Sequence, residues 1–136
     1  MLGELESNGR TIVCDMEAGI GTLLRLHPGM VDVAVIVAQP TAKSIEVASR
    51  AARIAASRCP SILVANRVRD EADVQLIRDG VGWDDGDIVA VPDDPAVARA
   101  DEEGRAPIDA AADAPAVRAV ERLAERIRPV DRGYAA

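Results

Sequence analysis

Apolar residues recur along this chain in two alternating rhythms. Four short runs, at 11–14, 31–38, 61–65 and 87–91, are rich in Val and Ile and apolar on both faces. Strands buried in a parallel sheet read this way, because helices cover both of their sides. Between the runs the period lengthens to that of a helix. Residues 41–57 carry Ile45, Ala48, Ala52 and Ala55 on one stripe, with Pro40 and Thr41 as the helix start. A second helix is predicted over 70–79, ended by Gly80 and Gly82. A third, over 95–103, stops at Gly104, and a fourth, over 115–128, has Val117, Val120, Leu123 and Ile127 as its apolar stripe. The Ala- and Asp-rich stretch 106–114 reads as a loop or a single turn.

Strand–helix–strand alternation with short connections predicts an α/β fold with a mainly parallel sheet and right-handed crossovers. At 136 residues the chain is expected to form a single domain over 1–136. An all-helical bundle would leave the run at 31–38 without a helical period. No internal repeat is visible. The composition sharpens this picture: 49% of residues are hydrophobic, yet Trp83 and Tyr134 are the only aromatics. The core must be built from Val, Ile, Leu and Ala, which suits parallel strands under Ala-rich helices.

Charge and cysteine content exclude several function classes. A formal net charge of −7 argues against nucleic-acid binding, which needs a basic patch to neutralise phosphates. Cys14 sits in an apolar run and Cys59 precedes Pro60, without Cys-x-x-Cys spacing, so reduced thiols in a cytoplasmic protein are expected. No apolar run approaches the roughly 18 residues of a membrane-spanning helix, and Met1-Leu2-Gly3-Glu4 does not open a signal peptide. The last helix lacks the bulky apolar face and basic excess of a membrane-surface helix, since Glu121 and Glu125 interleave with arginines. His27, the only histidine, reads as a surface residue, and Asp84-Asp85 as a solvated turn beside Gly86.

Three places carry candidate chemistry. Asp15 ends the first apolar run and is followed by Glu17-Ala18-Gly19-Ile20-Gly21. Ligands gather at the carboxyl ends of strands in open α/β sheets, so an acid there could hold Mg²⁺ through water; it could equally be a strand-capping Asp in a turn. Asn66 and Arg67 follow the third run. A carboxamide offers a donor and an acceptor, matching the edge of adenine, while an Asn that simply closes a turn is the plainer reading. Pro92-Asp93-Asp94-Pro95 follows the fourth run. Its plain reading is a helix start, with Asp94 as N-cap and Pro95 at the first helical position.

Taken together, Thr11-Ile12-Val13-Cys14-Asp15 with its glycine loop, Val64-Ala65-Asn66-Arg67 and Val91-Pro92-Asp93-Asp94-Pro95 resemble, in order and spacing, the C-terminal half of the MinD/ParA-type P-loop ATPases. The string Asp-Met-Glu-Ala-Gly-Ile is most similar to the accessory ATPases of nickel carbon monoxide dehydrogenase maturation. The resemblance spans roughly residues 10 to 128. It implies a partial P-loop NTPase fold, with ATP or ADP and Mg²⁺ as cofactors. Asp15 would hold the metal through water and Gly19 would sense the γ-phosphate through its N–H. Asn66 and Arg67, with Pro92 and Asp93, would hold adenine, and Val97, Ala100, Gly104 and Pro107 would continue the segment that lines the base. It also implies a metalloenzyme client.

The departures from that family bear equally on function. A P-loop needs a Gly-rich turn followed by Gly-Lys-Ser/Thr, and the only lysine is Lys43, between Ala42 and Ser44. No cysteine follows Asp15 that could bind an iron–sulfur cluster, and no Cys-x-Cys pair supports metal delivery. The expectation is the switch and adenine-binding half of an ATPase, binding ATP very weakly and hydrolysing none by itself. Two alternatives stand beside it: a non-catalytic interaction domain of the same descent, and a piece of a longer ATPase. A sheet cut beside its first motif strand should expose an edge, so a homodimer or a P-loop-bearing partner segment is expected.

Overall fold

A computed structural model of the chain describes residues 11–16, 21, 25, 27–84 and 86–127. Three strands, β1 (Ala34–Ala38), β2 (Ser61–Val68) and β3 (Ile88–Pro92), form one parallel sheet in the order β1-β2-β3. Helix α1 (Ala42–Ala55) connects the first pair and α2 (Glu71–Val81) the second. After β3 come α3 (Pro95–Glu102), the single turn α4 (Pro107–Ala110) and α5 (Pro115–Ile127). The fold is α/β and Rossmann-like, as the alternating rhythms predict.

Each face of the sheet has its own core. On one, Ile36, Ala38, Leu63, Ala65 and Val68 meet Ile45, Ala48 and Ala55 of α1 and Val74, Ile77 and Val81 of α2. On the other, Val64, Val89 and Val91 meet Ala116 and Ala119 of α5. Small alanines let these helices lie close to strands of Val and Ile, so dense packing is reached almost without aromatic rings. Trp83 packs against the margin of the first core, together with Ala34, Ala51, Ala52, Cys59 and Ile88.

Local chemistry sets the element ends. Thr41 caps α1, its Oγ1 accepting from the Ser44 N–H at 3.4 Å, while Ser44 Oγ accepts from the Gln39 N–H at 2.9 Å. Asp70 caps α2 by accepting from the Asp73 N–H at 3.0 Å. Gly82 closes α2 in the left-handed conformation, φ 74°, where its N–H and that of Trp83 satisfy the Arg78 carbonyl. Gly80 has a different task from the helix stop expected of it. It lies within α2, packed so tightly on α1 that a Cβ there would collide with Ile45 Cγ2.

Three other expectations are corrected. The run at 11–14 forms no strand: Val13 is 82% exposed, and Ile12 and Cys14 are exposed with it. A strand is held by its ladder, and among the described residues β1 pairs with β2 alone. The run at 31–38 is a strand only from Ala34 onward. In α5 the buried residues are Ala116, Val117 and Ala119, with Leu123 half-buried, whereas Val120 faces solvent. The smaller side chains win the sheet-facing stripe because they permit the closer approach.

Candidate functional site at the carboxyl ends of β2 and β3

The third run was expected to end at Ala65, with Asn66 and Arg67 following the strand. Instead β2 continues to Val68 through a bulge. Asn66 pairs with Val91 in register, and Val68 pairs with Pro92, so one extra residue is taken up at Arg67. That residue stands at φ 57°, a left-handed conformation rare for anything but glycine. Strict alternation would turn Val68 away from Leu63 and Ala65. The bulge returns it to their core and swings Arg67 outward.

The same bulge draws the candidate base-binding residues together. Arg67 Nε donates to Asp93 Oδ1 at 3.0 Å, and the Asp93 N–H donates to the Val68 carbonyl at 3.0 Å. Asn66 is half-buried beside them, and among the described residues its carboxamide makes no hydrogen bond. Its donor and acceptor are therefore open to a ligand or to water. Pro92 is half-buried at the end of β3 and donates nothing, while Asp93 is exposed with one carboxylate oxygen engaged by Arg67. Four of the six expected site residues share this lip.

Behind the lip, Asp94 fixes the chain. Its Oδ1 accepts from the Ala96 N–H at 2.9 Å, capping α3, and its Oδ2 accepts from the Ala116 N–H at 3.2 Å at the start of α5. The N-cap role was legible from Asp94-Pro95. The second bond, from twenty-two residues along the chain, leaves no local sequence signal. Two further residues escaped sequence reasoning. Asp73, buried in the first turn of α2, accepts from the Arg69 N–H at 2.9 Å and from Arg69 Nε and Nη2 at 2.9 and 3.0 Å. Hydrogen bonds from the Arg69 guanidinium and backbone hold the Asp73 carboxyl down at about 2 against burial, and the same bond raises Arg69. This brace anchors the segment that leaves the bulge.

Of the phosphate side of the expected site, the described residues include Asp15. Asp15 is exposed on a segment outside the sheet, and Gly19 lies outside the described residues. Among the described residues no three His, Cys, Asp or Glu side chains gather as metal ligands. Two open clefts lie elsewhere. One, of about 310 Å³, is lined by Ala52, Arg53 and Trp83; the other, of about 360 Å³, lies beside Val37, Lys43 and Val47. The residues present thus fit a base, which asks for a donor, an acceptor and an apolar wall. The Arg67 cation at this lip is already paired with Asp93, whereas a triphosphate asks for cations of its own. Comparison with protein-family models and with curated proteins finds no match to this chain. Among the described residues no helix is long and apolar enough to cross a membrane.

Proposed function

We propose that the chain supplies the switch and adenine-binding half of an ATPase of the MinD/ParA type, the phosphate-binding loop coming from another polypeptide segment. The observation that supports this reading best is the lip itself, where Asn66, Arg67, Pro92 and Asp93 converge at the carboxyl ends of adjacent strands. Base recognition is built from this chain's own atoms. The Asn66 carboxamide donates to and accepts from the base edge, and Pro92 offers an apolar flank. Arg67 holds Asp93 in place. Bound Mg-ATP would supply the phosphoryl group and the metal. Asp15 and Gly19 would face the metal and the γ-phosphate held by that other segment. A metalloenzyme client and a cytoplasmic location belong to the same proposal, the latter supported by two cysteines without Cys-x-x-Cys spacing.

The exposed, strand-free setting of Asp15 favours a second reading, a non-catalytic interaction domain that keeps the fold without turnover. Base contacts decide between them. About two net hydrogen bonds of ~1 kcal/mol each fall short of the ~4 kcal/mol of a millimolar site, so binding by the chain alone is expected to be weaker than millimolar. Titration of the isotope-labelled chain with adenosine and guanosine, followed by amide chemical shifts, reads contacts this weak. Shifts confined to Asn66, Arg67 and Asp93, larger for adenosine, are expected. Shifts absent from this lip, or the same with both nucleosides, would remove the base site and leave the interaction domain.

A further inference from the structure

Two helices end at the side of the sheet opposite the lip. Helix α1 stops at Ala55 before β2 begins, and α2 stops at Val81 before β3 begins. Because the strands are parallel, both helices bring their carboxyl ends to the amino ends of the strands. There the cleft of about 310 Å³ is lined by Ala52, Ala56, Val81 and Trp83, with Arg53 and Asp84 as its charged members. Trp83 is half-buried, and the Gly86 backbone lies so close that a Cβ there would stand 2.6 Å from the indole Nε1. Among the described residues that buried Nε1 finds no acceptor, so the ring is held by packing alone. Arg53 and Asp84 are exposed. An apolar wall with an aromatic ring, one charge of each sign and two negative helix ends suits a segment that carries a ring and a cation.

Helix α5 delivers such a segment to the same side of the sheet. It starts beside Asp94 at the carboxyl ends of the strands and finishes with Arg126 paired to Asp87 at 3.3 Å, just ahead of β3. Asp87 follows Gly86, the residue packed on the Trp83 indole. Residues 128–136 come next in sequence and lie outside the described residues. Extended, nine residues span up to about 30 Å, ample to pass from Asp87 to the cleft. Their chemistry is the counterpart of its lining. Asp131 answers Arg53, Arg132 answers Asp84 and the helix ends, and Tyr134 offers a ring to the apolar wall. Trp83 is the chain's one Trp and Tyr134 its one Tyr, and Phe is absent. Cores that do without rings thus leave one at the cleft and the other in the segment that starts beside it, and paired rings are worth more than the area they bury.

We propose that residues 128–136 return across the amino ends of β2 and β3 and dock in this cleft of their own chain, Tyr134 against Trp83 and Asp131-Arg132 against Arg53 and Asp84. The docking is independent of the lip, which lies at the other ends of the strands. With a single Trp and a single Tyr, nuclear Overhauser contacts between the two ring systems identify it in the parent chain without any variant. Such contacts are expected, and they should persist on dilution, as an interaction within one chain must. Acrylamide quenching of Trp83 fluorescence gives a second reading. Tyr134→Ala should lower the docked population roughly two- to tenfold and raise quenching accordingly. Arg132→Glu should act in the same direction but more weakly, as exposed ion pairs do. Joining Asp84→Arg to Arg132→Glu should recover protection that either change alone loses, with the circular dichroism spectrum unaltered throughout. Absence of ring contacts in the parent chain, contacts that fade on dilution, or quenching indifferent to Tyr134→Ala would overturn the proposal.

Discussion

Arg67 shows how a single residue ties backbone conformation to the candidate site. A non-glycine residue in the left-handed region costs about 1 kcal/mol or more, and its exposed ion pair with Asp93 returns little, typically under ~1 kcal/mol. Conformation should therefore outweigh charge. Arg67→Gly is expected to be more stable than Arg67→Ala by about 1 kcal/mol in urea unfolding; equal midpoints would mean that the bulge is not strained. Asp73 makes a second prediction, in pH. Its carboxyl falls from 3.8 to about 2 on folding, so the unfolded chain binds the proton more readily. The stability it contributes is complete above the unfolded value and is lost as pH falls through the range from 3.8 to about 2. Unfolding curves for Asp73→Asn should converge on those of the parent toward the acid end of that window. A constant offset down to pH 2 would show that the Arg69 brace is not the cause. Of these residues, Asn66 was singled out by the donor and acceptor of its carboxamide, and Asp93 by the family resemblance. Arg67's conformation was not, since nothing in its neighbours announces a bulge that depends on pairing with β3.

Elements were legible where their determinants are local and obscure where they are not. The cap residues Thr41, Asp70 and Asp94 and the left-handed Gly82 mark helix ends within a turn of sequence, and the structure places them there. Gly80 was misread because a glycine near a helix end looks like a stop, whereas its cause lies across the interface in Ile45. Helix propensity alone would make Gly80→Ala stabilising by up to ~1 kcal/mol. Overpacking against the β-branched Ile45 should reverse the sign and cost about 1–3 kcal/mol. Thermal unfolding decides the sign, and a raised midpoint would show that α1 and α2 can separate freely. The run at 11–14 failed for the complementary reason. Alternation and β-branching describe a segment able to become a strand, but only a neighbouring ladder makes it one.

At the scale of the molecule, the covered and uncovered parts divide along the sheet. Among the described residues, helices α1 and α2 cover one face, and α5 packs on the other against β2 and β3. The carboxyl ends of β2 and β3 hold the lip of Asn66, Arg67, Pro92 and Asp93, whereas among the described residues β1 pairs on one side alone and Asp15 lies outside the sheet. The resemblance drawn from the sequence has the same asymmetry, with segments similar to base-binding ones and no Gly-Lys-Ser/Thr loop. The fold class was readable because its determinants, Val- and Ile-rich runs alternating with Ala-bearing helical stripes, lie within the elements themselves, whereas no local pattern fixes the setting of Asp15.

The most direct measurement of the central claim is calorimetry of Mg-ATP binding to the chain alone and to the chain mixed with a P-loop-bearing half from a MinD/ParA-type ATPase. Alone, the chain should give no saturable heat at micromolar concentration and no ATP turnover. With the P-loop half, binding should appear, and Asn66→Ala should weaken it by about 1–3 kcal/mol. Micromolar binding by the isolated chain, or binding to the mixture that Asn66→Ala leaves unchanged, would contradict the assignment of the base to this lip.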